Sequence, residues 1–377
     1  MKIVFLSNYF NHHQKSLCDS LNSLCDEFIF VATSQMKEER VKLGYPNIET
    51  SYVINIDDKN GRSIVAQAVR NADAVINGSA PEKLIAERIK NGGLIFRYCE
   101  RLMKQPFGIS FLPEMIRWRK RNPKGANIYL LCTGAYTAGD FARFGLFHNR
   151  AFKWGYFPET KRYKSISDII TAKKKNSILW VGRMIDWKHP EMVVESANYL
   201  KKKGIDFSMQ LVGTGNMQAE LNDMIRKYKL EENVSISGPV TPERVRELME
   251  RSEFFLFPSD REEGWGAVLN EAMNSGCAVI ASDEIGAVPF LLREGENGLI
   301  FESGNTQMLC KKLESLINDP EKRSELGMNA YSSITQTWNA EEAAKRFIAL
   351  IKDIQNGRDG LELFKEGPCS KAEIIYM

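Results

Sequence analysis

The chain has 377 residues, of which 43% are hydrophobic and 26% are charged. This composition excludes intrinsic disorder, and the length is enough for two globular domains of ordinary size. Residues 1–160 hold 22 Lys and Arg against 15 Asp and Glu, whereas the remaining residues hold 29 against 33. The basic first half is therefore expected to meet an anionic partner.

The sequence carries neither a membrane-spanning nor a metal-binding pattern. The first apolar run, residues 3–6, is too short for the core of a signal peptide, and no run reaches the roughly 18 apolar residues of a membrane span. The seven cysteines form no CxxC pair, and the four histidines form no HExxH motif. Free thiols in a reducing compartment are the expected state. The sequence thus predicts a cytoplasmic protein without a metal site or another cofactor.

The first half alternates short apolar runs with longer amphipathic segments, as parallel strands joined by crossover helices do. The runs predict strands at 2–7, 28–33, 51–56, 74–78, 94–98 and 127–132, with a helix at 81–90. Residues 1–158 are therefore expected to form a Rossmann-like domain.

The polar, lysine-rich segment 159–176 is the predicted linker, because it holds few large apolar residues. The apolar runs that follow predict strands at 177–181, 207–212, 234–237, 254–257 and 278–281. A second Rossmann-like domain is expected at 177–339, and a C-terminal helix and tail at 340–377. The predicted fold class is α/β, with two doubly wound domains.

Ligands of open α/β sheets bind beyond the carboxyl ends of the strands. Four loops at such positions in the second domain are unusual. Loop 182–188 carries two cations, 213–216 and 237–240 are glycine-containing or proline-containing turns, and 258–266 is acidic and runs into a helix. Each loop alone is compatible with an ordinary turn or a solvated charge. Together, two cations, the amides of a helix start and two carboxylates suit a ligand that is both a diphosphate and a polyhydroxyl compound.

Several spaced motifs follow one another in the second half. They are Gly182-Arg183 with Lys188, Val212-Gly213-Thr214-Gly215, Ser237-Gly238, and a pair of glutamates, Glu263 and Glu271, that leads into Ala272-Met273 and on to Ser282. With these motifs, residues 177–303 resemble the retaining GT-B glycosyltransferases of family 4, which build bacterial polysaccharides, lipopolysaccharide and glycolipids. The first half resembles this family only in architecture, because the usual glycine-rich loop and active-site histidine have no counterpart there.

The resemblance implies a GT-B fold, in which two Rossmann-like domains face a cleft and the C-terminal helix crosses back to the N-terminal domain. It implies transfer of a sugar, with retention of anomeric configuration, from a UDP-linked or GDP-linked donor. The acceptor would be a glycan or a lipid-linked acceptor in the synthesis of bacterial surface polysaccharide or glycolipid. No metal is implied, because side-chain cations would neutralise the diphosphate. The nucleotide sugar would be a substrate and not a cofactor.

The resemblance also implies roles for residues of the second domain. Arg183 and Lys188 would hold the donor diphosphate, Glu263 would bind sugar hydroxyls near the reacting carbon, and Glu271 would bind the ribose hydroxyls. The implied catalytic residues are Arg183, Lys188 and Glu263. The implied donor-binding residues are Gly182, Gly213, Gly215, Asn216, Pro239, Val240, Gly264, Trp265, Gly266, Ala267, Val268, Leu269 and Glu271.

Candidate acceptor or sugar contacts in the first half follow two of its predicted strands. His12 and His13 follow the first strand, where a substrate contact and a loop-capping role are both open. Arg97, Glu100 and Arg101 lie at another strand end, where ion pairing with one another and acceptor binding are both open. The acceptor candidates are therefore His12, His13, Arg97 and Glu100.

Residues 111–124 combine apolar residues with clustered cations. Such a segment suits the anionic inner face of a cell membrane, where each cation contributes about 1 kcal/mol, and it equally suits a helix with a solvated basic face. Nucleic acid is disfavoured as a partner, because no binding motif accompanies the charge.

Two other function classes remain. One is a GT-B relative that transfers nothing, such as a sugar-nucleotide epimerase, and the spacing of Glu263 and Glu271 argues against it. The other is a catalytically silent subunit that binds a sugar nucleotide, and the presence of Arg183 and Lys188 beside these glutamates argues against it. Donor hydrolysis or transfer by the purified protein separates both classes from a transferase.

Overall fold

The computed structural model describes residues 1–35, 48, 50–104 and 108–377. The chain divides into two compact units. Unit 1 consists of Met1–Glu159 and Trp338–Met377, and unit 2 consists of Thr160–Thr337.

Among the described residues, unit 1 forms a parallel sheet of seven strands. They are β1 (Lys2–Ser7), β2 (Glu27–Ala32), β3 (Val53–Asn55), β4 (Ala74–Asn77), β5 (Ile95–Glu100), β6 (Ile128–Thr133) and β7 (Ala151–Trp154). The order across the sheet is β3-β2-β1-β4-β5-β6-β7. The order reverses between β1 and β4, and ligands of doubly wound sheets bind at the carboxyl side of such a reversal.

The helices that connect these strands are α1 (His12–Leu24), α2 (Gly61–Asn71), α3 (Ala86–Lys90), α4 (Leu112–Arg121) and α5 (Thr137–Arg143). Helix α1 begins where the side chain of Asn11 accepts a hydrogen bond from the backbone N–H of His13, at 3.0 Å. Its buried residues include Leu17 and Leu21, which are spaced by four and so lie on one face. This face belongs to the core of unit 1.

Unit 2 contains a six-stranded parallel sheet in the described residues. Its strands are β8 (Lys174–Val181), β9 (Ser208–Val212), β10 (Val234–Ser237), β11 (Ser252–Phe257), β12 (Ala278–Ser282) and β13 (Leu299–Phe301), in the order β10-β9-β8-β11-β12-β13. The order reverses between β8 and β11. The loops after β8, β9, β10 and β11 therefore share one end of this sheet, as the sequence predicts.

The helices of unit 2 are α6 (Ile166–Thr171), α7 (Pro190–Lys202), α8 (Gln218–Lys227), α9 (Pro242–Arg251), α10 (Ala267–Asn274), α11 (Val288–Leu291), α12 (Thr306–Ile317) and α13 (Pro320–Gln336). Residues of α7, α8 and α12 bury Val193, Leu221 and Leu313 in one hydrophobic cluster with strand residues such as Leu211 and Leu256. Burial of both sheet faces explains why these strands read as continuous apolar runs.

The chain returns to unit 1 with the last helix, α14 (Ala340–Gln355). Phe347 of this helix contacts Phe96 of β5, with ring centroids 4.8 Å apart. The tail then pairs with β7 through two backbone hydrogen bonds. The N–H of Ala372 donates to the carbonyl of Ala151 at 2.9 Å, and the N–H of Lys153 donates to the carbonyl of Ser370 at 2.7 Å. The return of the C-terminal helix to the first domain is confirmed.

The predicted strands are confirmed with boundary shifts of a few residues, whereas β7 and β13 are missed by the sequence. The predicted linker 159–176 is wrong in its extent, because residues from Thr160 onward pack within unit 2. It contains α6, and Lys173 is buried there with its ammonium group donating to the carbonyl of Met249 at 2.6 Å. No helix in the described part of the chain is long and apolar enough to cross a membrane.

Candidate functional site

Two loops of unit 2 touch through glycines. Gly213 has a φ of 138°, and a Cβ there would collide with the carbonyl oxygen of Gly182. A Cβ on Gly215 would collide with the carbonyl oxygen of Met184. The backbone N–H of Met184 also donates to the carbonyl of Thr214 at 2.9 Å. These glycines are required because loop 182–188 and turn 213–216 meet backbone to backbone.

The two predicted cations share one aromatic side chain. The guanidinium carbon of Arg183 lies 5.6 Å from the ring centroid of Trp187, and the Nζ of Lys188 lies 4.7 Å from the same centroid. Both distances are within the range of a cation–π contact. Arg183 is exposed, whereas Lys188 is half-buried and forms an ion pair with Glu263. The structure thus brings three predicted site residues together.

The acidic loop 258–266 holds Glu263 in place through its backbone. The N–H of Asp260 donates to the carbonyl of Trp187 at 3.0 Å, and the N–H of Glu263 donates to the carbonyl of Asp260 at 3.1 Å. Glu263 is buried. Gly266 ends the loop with a φ of 89°, and a Cβ there would lie 2.5 Å from the ring of Phe257. Only glycine fits this turn into α10.

Helix α10 starts beside this loop. Its N-cap is Gly266, which has no side chain to accept from the first amides, those of Ala267 and Val268. The start of a helix carries a partial positive charge and favours an anion. Trp265 and Leu269 are buried in the core, and the indole N–H of Trp265 donates to Asn270 at 2.9 Å. Any donor contact from these two residues must therefore come from their backbone.

Glu271 lies in α10 and is half-buried. Burial raises the pKa of its carboxyl group from the ordinary 4.5 to about 7, and the charge of Arg246 opposes this increase. Within the described part of the chain, no side chain or amide donates to this carboxylate. The group is therefore available to hydroxyl donors of a ligand.

The remaining predicted donor residues lie in the neighbouring loops. Asn216 and Pro239 are exposed, Val240 is half-buried, and Gly264 is buried. Asn216 follows β9, whereas Pro239 and Val240 follow β10. They surround the same end of the sheet as Arg183. Asn216, Pro239 and Val240 are therefore accessible to a ligand, whereas Gly264 is not.

His189, which follows Lys188, is not among the site residues predicted from the sequence. Its Nδ1 lies 2.7 Å from Oε1 of Glu191, and its Nε2 lies 3.3 Å from Oδ2 of Asp260. The hydrogen bond to Glu191 and then the charges of Glu191 and Asp260 raise the pKa of His189, although burial lowers it. A lone histidine outside a motif carries no signal of this kind, because its partner Asp260 is distant in sequence.

In unit 1, His12 and His13 are half-buried, and their ring centroids are 3.9 Å apart. The ring of Tyr156 lies 6.2 Å from that of His13, and its hydroxyl donates to Glu100 at 2.7 Å. Three of the acceptor candidates thus lie near one another at the carboxyl end of the sheet. Tyr156 was not predicted, because nothing in its sequence neighbourhood marks it.

Arg97 is the exception among the acceptor candidates. It is buried, and its guanidinium binds Glu82 at 2.8 Å, Asn122 at 2.9 Å and the carbonyl of Arg121 at 2.9 Å. The guanidinium is therefore engaged by structural partners and not directed to a ligand. The predicted pairing with Glu100 is also wrong, because the ion-pair partner of Arg97 is Glu82.

The basic segment forms α4. Leu112 and Ile116 are exposed on this helix, as are Arg117 and Lys120. An open groove of about 780 Å³ runs between α4 and α3, and Ile89, Pro113 and Ile116 are among its apolar lining residues. Its rim includes Lys90, Arg117, Lys120 and Arg121.

Across the described residues, no group of three or more His, Cys, Asp or Glu side chains could hold a metal ion. The seven cysteines are free. Arg183, Lys188 and Glu263 meet at this end of the unit 2 sheet, where His189 and Asp260 also contact each other.

Comparisons with known proteins find relatives of unit 2 and of the whole fold. Residues 163–333 match the family described as glycosyl transferases group 1. The alpha-D-kanosaminyltransferase of Streptomyces kanamyceticus is 26% identical over 47% of this chain and 45% of its own length. A Campylobacter jejuni enzyme that transfers N-acetylgalactosamine to a diphospho-undecaprenol-linked sugar is 30% identical over 42% of each chain. The chain thus spans less than half the length of these curated relatives.

The whole fold has relatives among solved structures. Anabaena Alr3699/HepE in complex with UDP has a TM-score of 0.69 at 18% identity, covering 94% of this chain and 100% of its own. The pneumococcal O-GlcNAc transferase GtfA in complex with UDP and GlcNAc has a TM-score of 0.68 at 10% identity, covering 94% and 99%. The chain has the GT-B fold of two Rossmann-like domains, and its residues 163–333 match the model of the glycosyl transferases group 1 family.

Proposed function

We propose that the chain is a glycosyltransferase that moves a sugar from a nucleoside diphosphate sugar to a glycan or lipid-linked acceptor, with retention of anomeric configuration. Its setting is the synthesis of bacterial surface polysaccharide or glycolipid. The observation that carries the proposal is the meeting of Arg183, Lys188, Glu263 and the start of α10 at one end of the unit 2 sheet. Cations and helix amides bind a diphosphate, and a carboxylate binds sugar hydroxyls.

The proposed reaction needs positive charge beside the departing phosphate. The bond between the anomeric carbon and the phosphate oxygen breaks, and its electron pair leaves with the nucleoside diphosphate. The oxygen of the acceptor hydroxyl forms the new bond on the same face, and its proton passes to the departing phosphate oxygen. Negative charge therefore grows on that oxygen, where Arg183 and Lys188 lower the barrier most.

The pair of Lys188 and Glu263 prepares both groups for the donor. Each side chain is only about one-tenth exposed, at 13% and 11%. A donor diphosphate offers Lys188 two negative charges in place of one, so the ammonium group is expected to turn toward it. Glu263 is then released to accept hydrogen bonds from sugar hydroxyls. Ion pairing before binding avoids an isolated buried charge.

The identity of the nucleotide rests on the relatives. Two structures with this fold contain UDP, one of them with GlcNAc as well. A UDP-linked donor is therefore the first choice, and a GDP-linked donor is the second. The ribose hydroxyls of either nucleotide suit the carboxylate of Glu271, which lacks a protein donor. The nucleotide sugar acts as substrate, and no metal or other cofactor is part of the proposal.

The proposed contacts to the acceptor are residues of unit 1. His12, His13 and Glu100, together with Tyr156, present aromatic rings and a carboxylate at the carboxyl end of its sheet. Rings and carboxylates bind the faces and hydroxyls of sugars. The Campylobacter relative uses a diphospho-undecaprenol-linked substrate, which supports a lipid-linked acceptor.

A lipid-linked acceptor would place the chain at the inner face of the cell membrane. Helix α4 supports this placement, because exposed Leu112 and Ile116 lie beside exposed Arg117 and Lys120. Apolar residues and cations on one helix suit an anionic bilayer surface. The alternative is a basic helix facing water.

A screen of nucleotide sugars by thermal unfolding tests the function. A donor that binds only the folded state raises the apparent Tm, and at about 100 times its Kd the gain is about 2.7 kcal/mol. We expect one UDP-linked or GDP-linked sugar to raise the Tm and then to be hydrolysed or transferred, with chelator leaving turnover unchanged. Binding without any turnover would favour a silent subunit, and an altered sugar in the recovered nucleotide would favour an epimerase. Loss of turnover that added metal restores would overturn the metal-free mechanism.

A further inference from the structure

His189 lies between the two loops that carry Lys188 and Glu263. It is the N-cap of α7 and has a φ of 48°, which is uncommon for a residue with a side chain. This backbone conformation directs the imidazole between two carboxylates, those of Glu191 in α7 and Asp260 in the acidic loop. The three side chains are similarly shielded, at 27%, 25% and 26% exposure.

The contact between His189 and Asp260 is a further tie between the same two loops. The others are the ion pair of Lys188 with Glu263 and the hydrogen bond from the N–H of Asp260 to the carbonyl of Trp187, at 3.0 Å. The carbonyl of Asp260 in turn accepts from the N–H of Glu263, at 3.1 Å. Residues 187 to 189 and 260 to 263 are therefore linked through both backbone and side-chain contacts.

We propose that His189 is a positioning residue of the donor site, which holds loop 182–188 against the acidic loop by bridging Glu191 and Asp260. Its role at the donor rests on the proposed function. Without the bridge, the ammonium group of Lys188 and the carboxylate of Glu263 keep their chemistry but lose their fixed separation. Transfer depends on such fixed geometry, because small displacements of charged groups lower the rate strongly.

The two ring nitrogens have separate tasks, and this makes the proposal testable. Nδ1 faces Glu191, and Nε2 faces Asp260. The amide nitrogen of asparagine occupies roughly the place of Nδ1, whereas that of glutamine occupies roughly the place of Nε2. His189→Gln can therefore keep the tie between the loops, and His189→Asn cannot.

The backbone at this position predicts the opposite order. Asparagine adopts a positive φ more readily than glutamine does. A residue needed only for the turn would thus be replaced better by asparagine. A residue needed for the tie to Asp260 would be replaced better by glutamine.

The experiment compares His189→Gln, His189→Asn and Asp260→Asn in the full chain, with His148→Ala as the control because His148 is exposed in unit 1. The first readout is amide hydrogen exchange of residues 258–266, which needs no substrate. We expect His189→Asn and Asp260→Asn to exchange roughly fivefold faster or more in this segment, with the control and His189→Gln near the wild type.

The second readout is steady-state kinetics with the donor found by the thermal screen. We expect His189→Asn to lower kcat by about tenfold with a smaller change in KM, and the double variant with Asp260→Asn to lose no more than the single variants. Equal exchange in wild type and His189→Asn, or better activity of asparagine than of glutamine, would overturn the proposal. A wild type that binds no nucleotide sugar would refute the proposed function, and the exchange result alone would then decide whether the tie exists.

Discussion

Arg183 and Lys188 differ in their surroundings, and their variants should differ accordingly. Both cations are proposed to stabilise the leaving phosphate, so Arg183→Ala and Lys188→Ala should each lower kcat/KM by at least about tenfold. Lys188→Ala also leaves the buried Glu263 without its partner. It should therefore lower the Tm more than Arg183→Ala, whose side chain is exposed. Kinetics and thermal unfolding measure the two effects.

A double variant separates stability from catalysis at this pair. Lys188→Ala with Glu263→Gln removes both charges, so much of the lost stability should return while activity stays low. Lys202→Ala is a matched control, because Lys202 is an exposed lysine of the same unit. Near-normal turnover in both single variants would contradict the role of the cations.

Glu271 predicts a pH dependence of nucleotide binding. Its folded-state pKa is raised from 4.5 to about 7, so the folded protein binds this proton more tightly than the unfolded chain does. Its contribution to stability is complete below pH 4.5 and is lost as the pH rises through about 7. Ribose hydroxyls donate to the ionised form. Free nucleoside diphosphate should therefore bind more tightly at pH 8 than at pH 6, with release of a proton.

Calorimetry in buffers of different ionisation enthalpy measures this proton. Glu271→Gln should abolish the proton release and mainly raise the donor KM, because a ribose contact is the same in the ground and transition states. Glu263→Gln should mainly lower kcat. Undiminished proton release in Glu271→Gln would show that Glu271 is not the group that loses the proton. Loss of nucleoside diphosphate binding in Glu263→Gln alone would show that the two roles are reversed.

Sequence motifs predicted that Arg183, Lys188 and Glu263 lie near one another in unit 2, but not how they pair. Arg183, Lys188, Glu263 and Glu271 stand in spaced motifs after predicted strands, and the topology brings such positions together. The pairing of Lys188 with Glu263 and the bridge at His189 join residues about 70 positions apart. Arg97 was predicted as a ligand contact from its place at a strand end, but its guanidinium is buried and binds Glu82 and Asn122.

At the scale of elements, burial decides which strands a sequence reveals. Strands such as β8 and β12 lie inside the sheet and read as apolar runs. β7 and β13, which end their sheets and have four and three residues, are missed, although β3 and β10 are end strands of the same lengths and are predicted. β7 obtains its second neighbour from the tail, which lies more than 200 residues later in the sequence.

The tail of unit 1 is expected to stabilise the end of its sheet. Ala372→Pro removes the N–H that donates to Ala151 and should lower the free energy of unfolding by about 1–3 kcal/mol. Glu373→Ala is the control, because its exposed carboxylate contributes only a surface ion pair with Lys153. Chemical denaturation measures both. Equal stability of Ala372→Pro and wild type would show that the tail is not held by this pairing.

Helix α4 carries the prediction of membrane contact. Arg119 donates to the carbonyl of Phe144 and Arg121 lies 3.7 Å from Glu82, whereas Arg117 forms an exposed ion pair within the helix, with Glu114, and Lys120 is exposed. Arg117→Gln with Lys120→Gln should therefore weaken binding to anionic vesicles by about tenfold or more, and added salt should reduce the difference.

Two comparisons control the vesicle measurement. Leu112→Ser with Ile116→Ser removes exposed apolar area and should weaken binding at any salt concentration. Lys201→Gln with Lys202→Gln changes two exposed lysines of unit 2 and should have no effect. Equal binding by wild type and the α4 variants would show that this basic helix faces water and does not bind the membrane.

For the whole molecule, alternation of apolar runs and amphipathic segments was enough to predict two Rossmann-like units. The resemblance covered only the second half, because the spaced motifs from Gly182 to Ser282 lie there. The acceptor side carries no motif of this kind, so His12, His13 and Glu100 could be placed only by strand position. Tyr156 was identified as a further candidate only from its hydrogen bond to Glu100 in the structure.

The central claim is sugar transfer with retention, and proton NMR of the reaction tests it most directly. The donor selected by the thermal screen is incubated with the full chain, and the anomeric signal of the first product is followed from the start of turnover. The account predicts that the donor is consumed and that the product carries the anomeric configuration of the donor, with Lys188→Ala slower by at least about tenfold. A product of opposite configuration, or no turnover of any nucleotide sugar that binds, would contradict it.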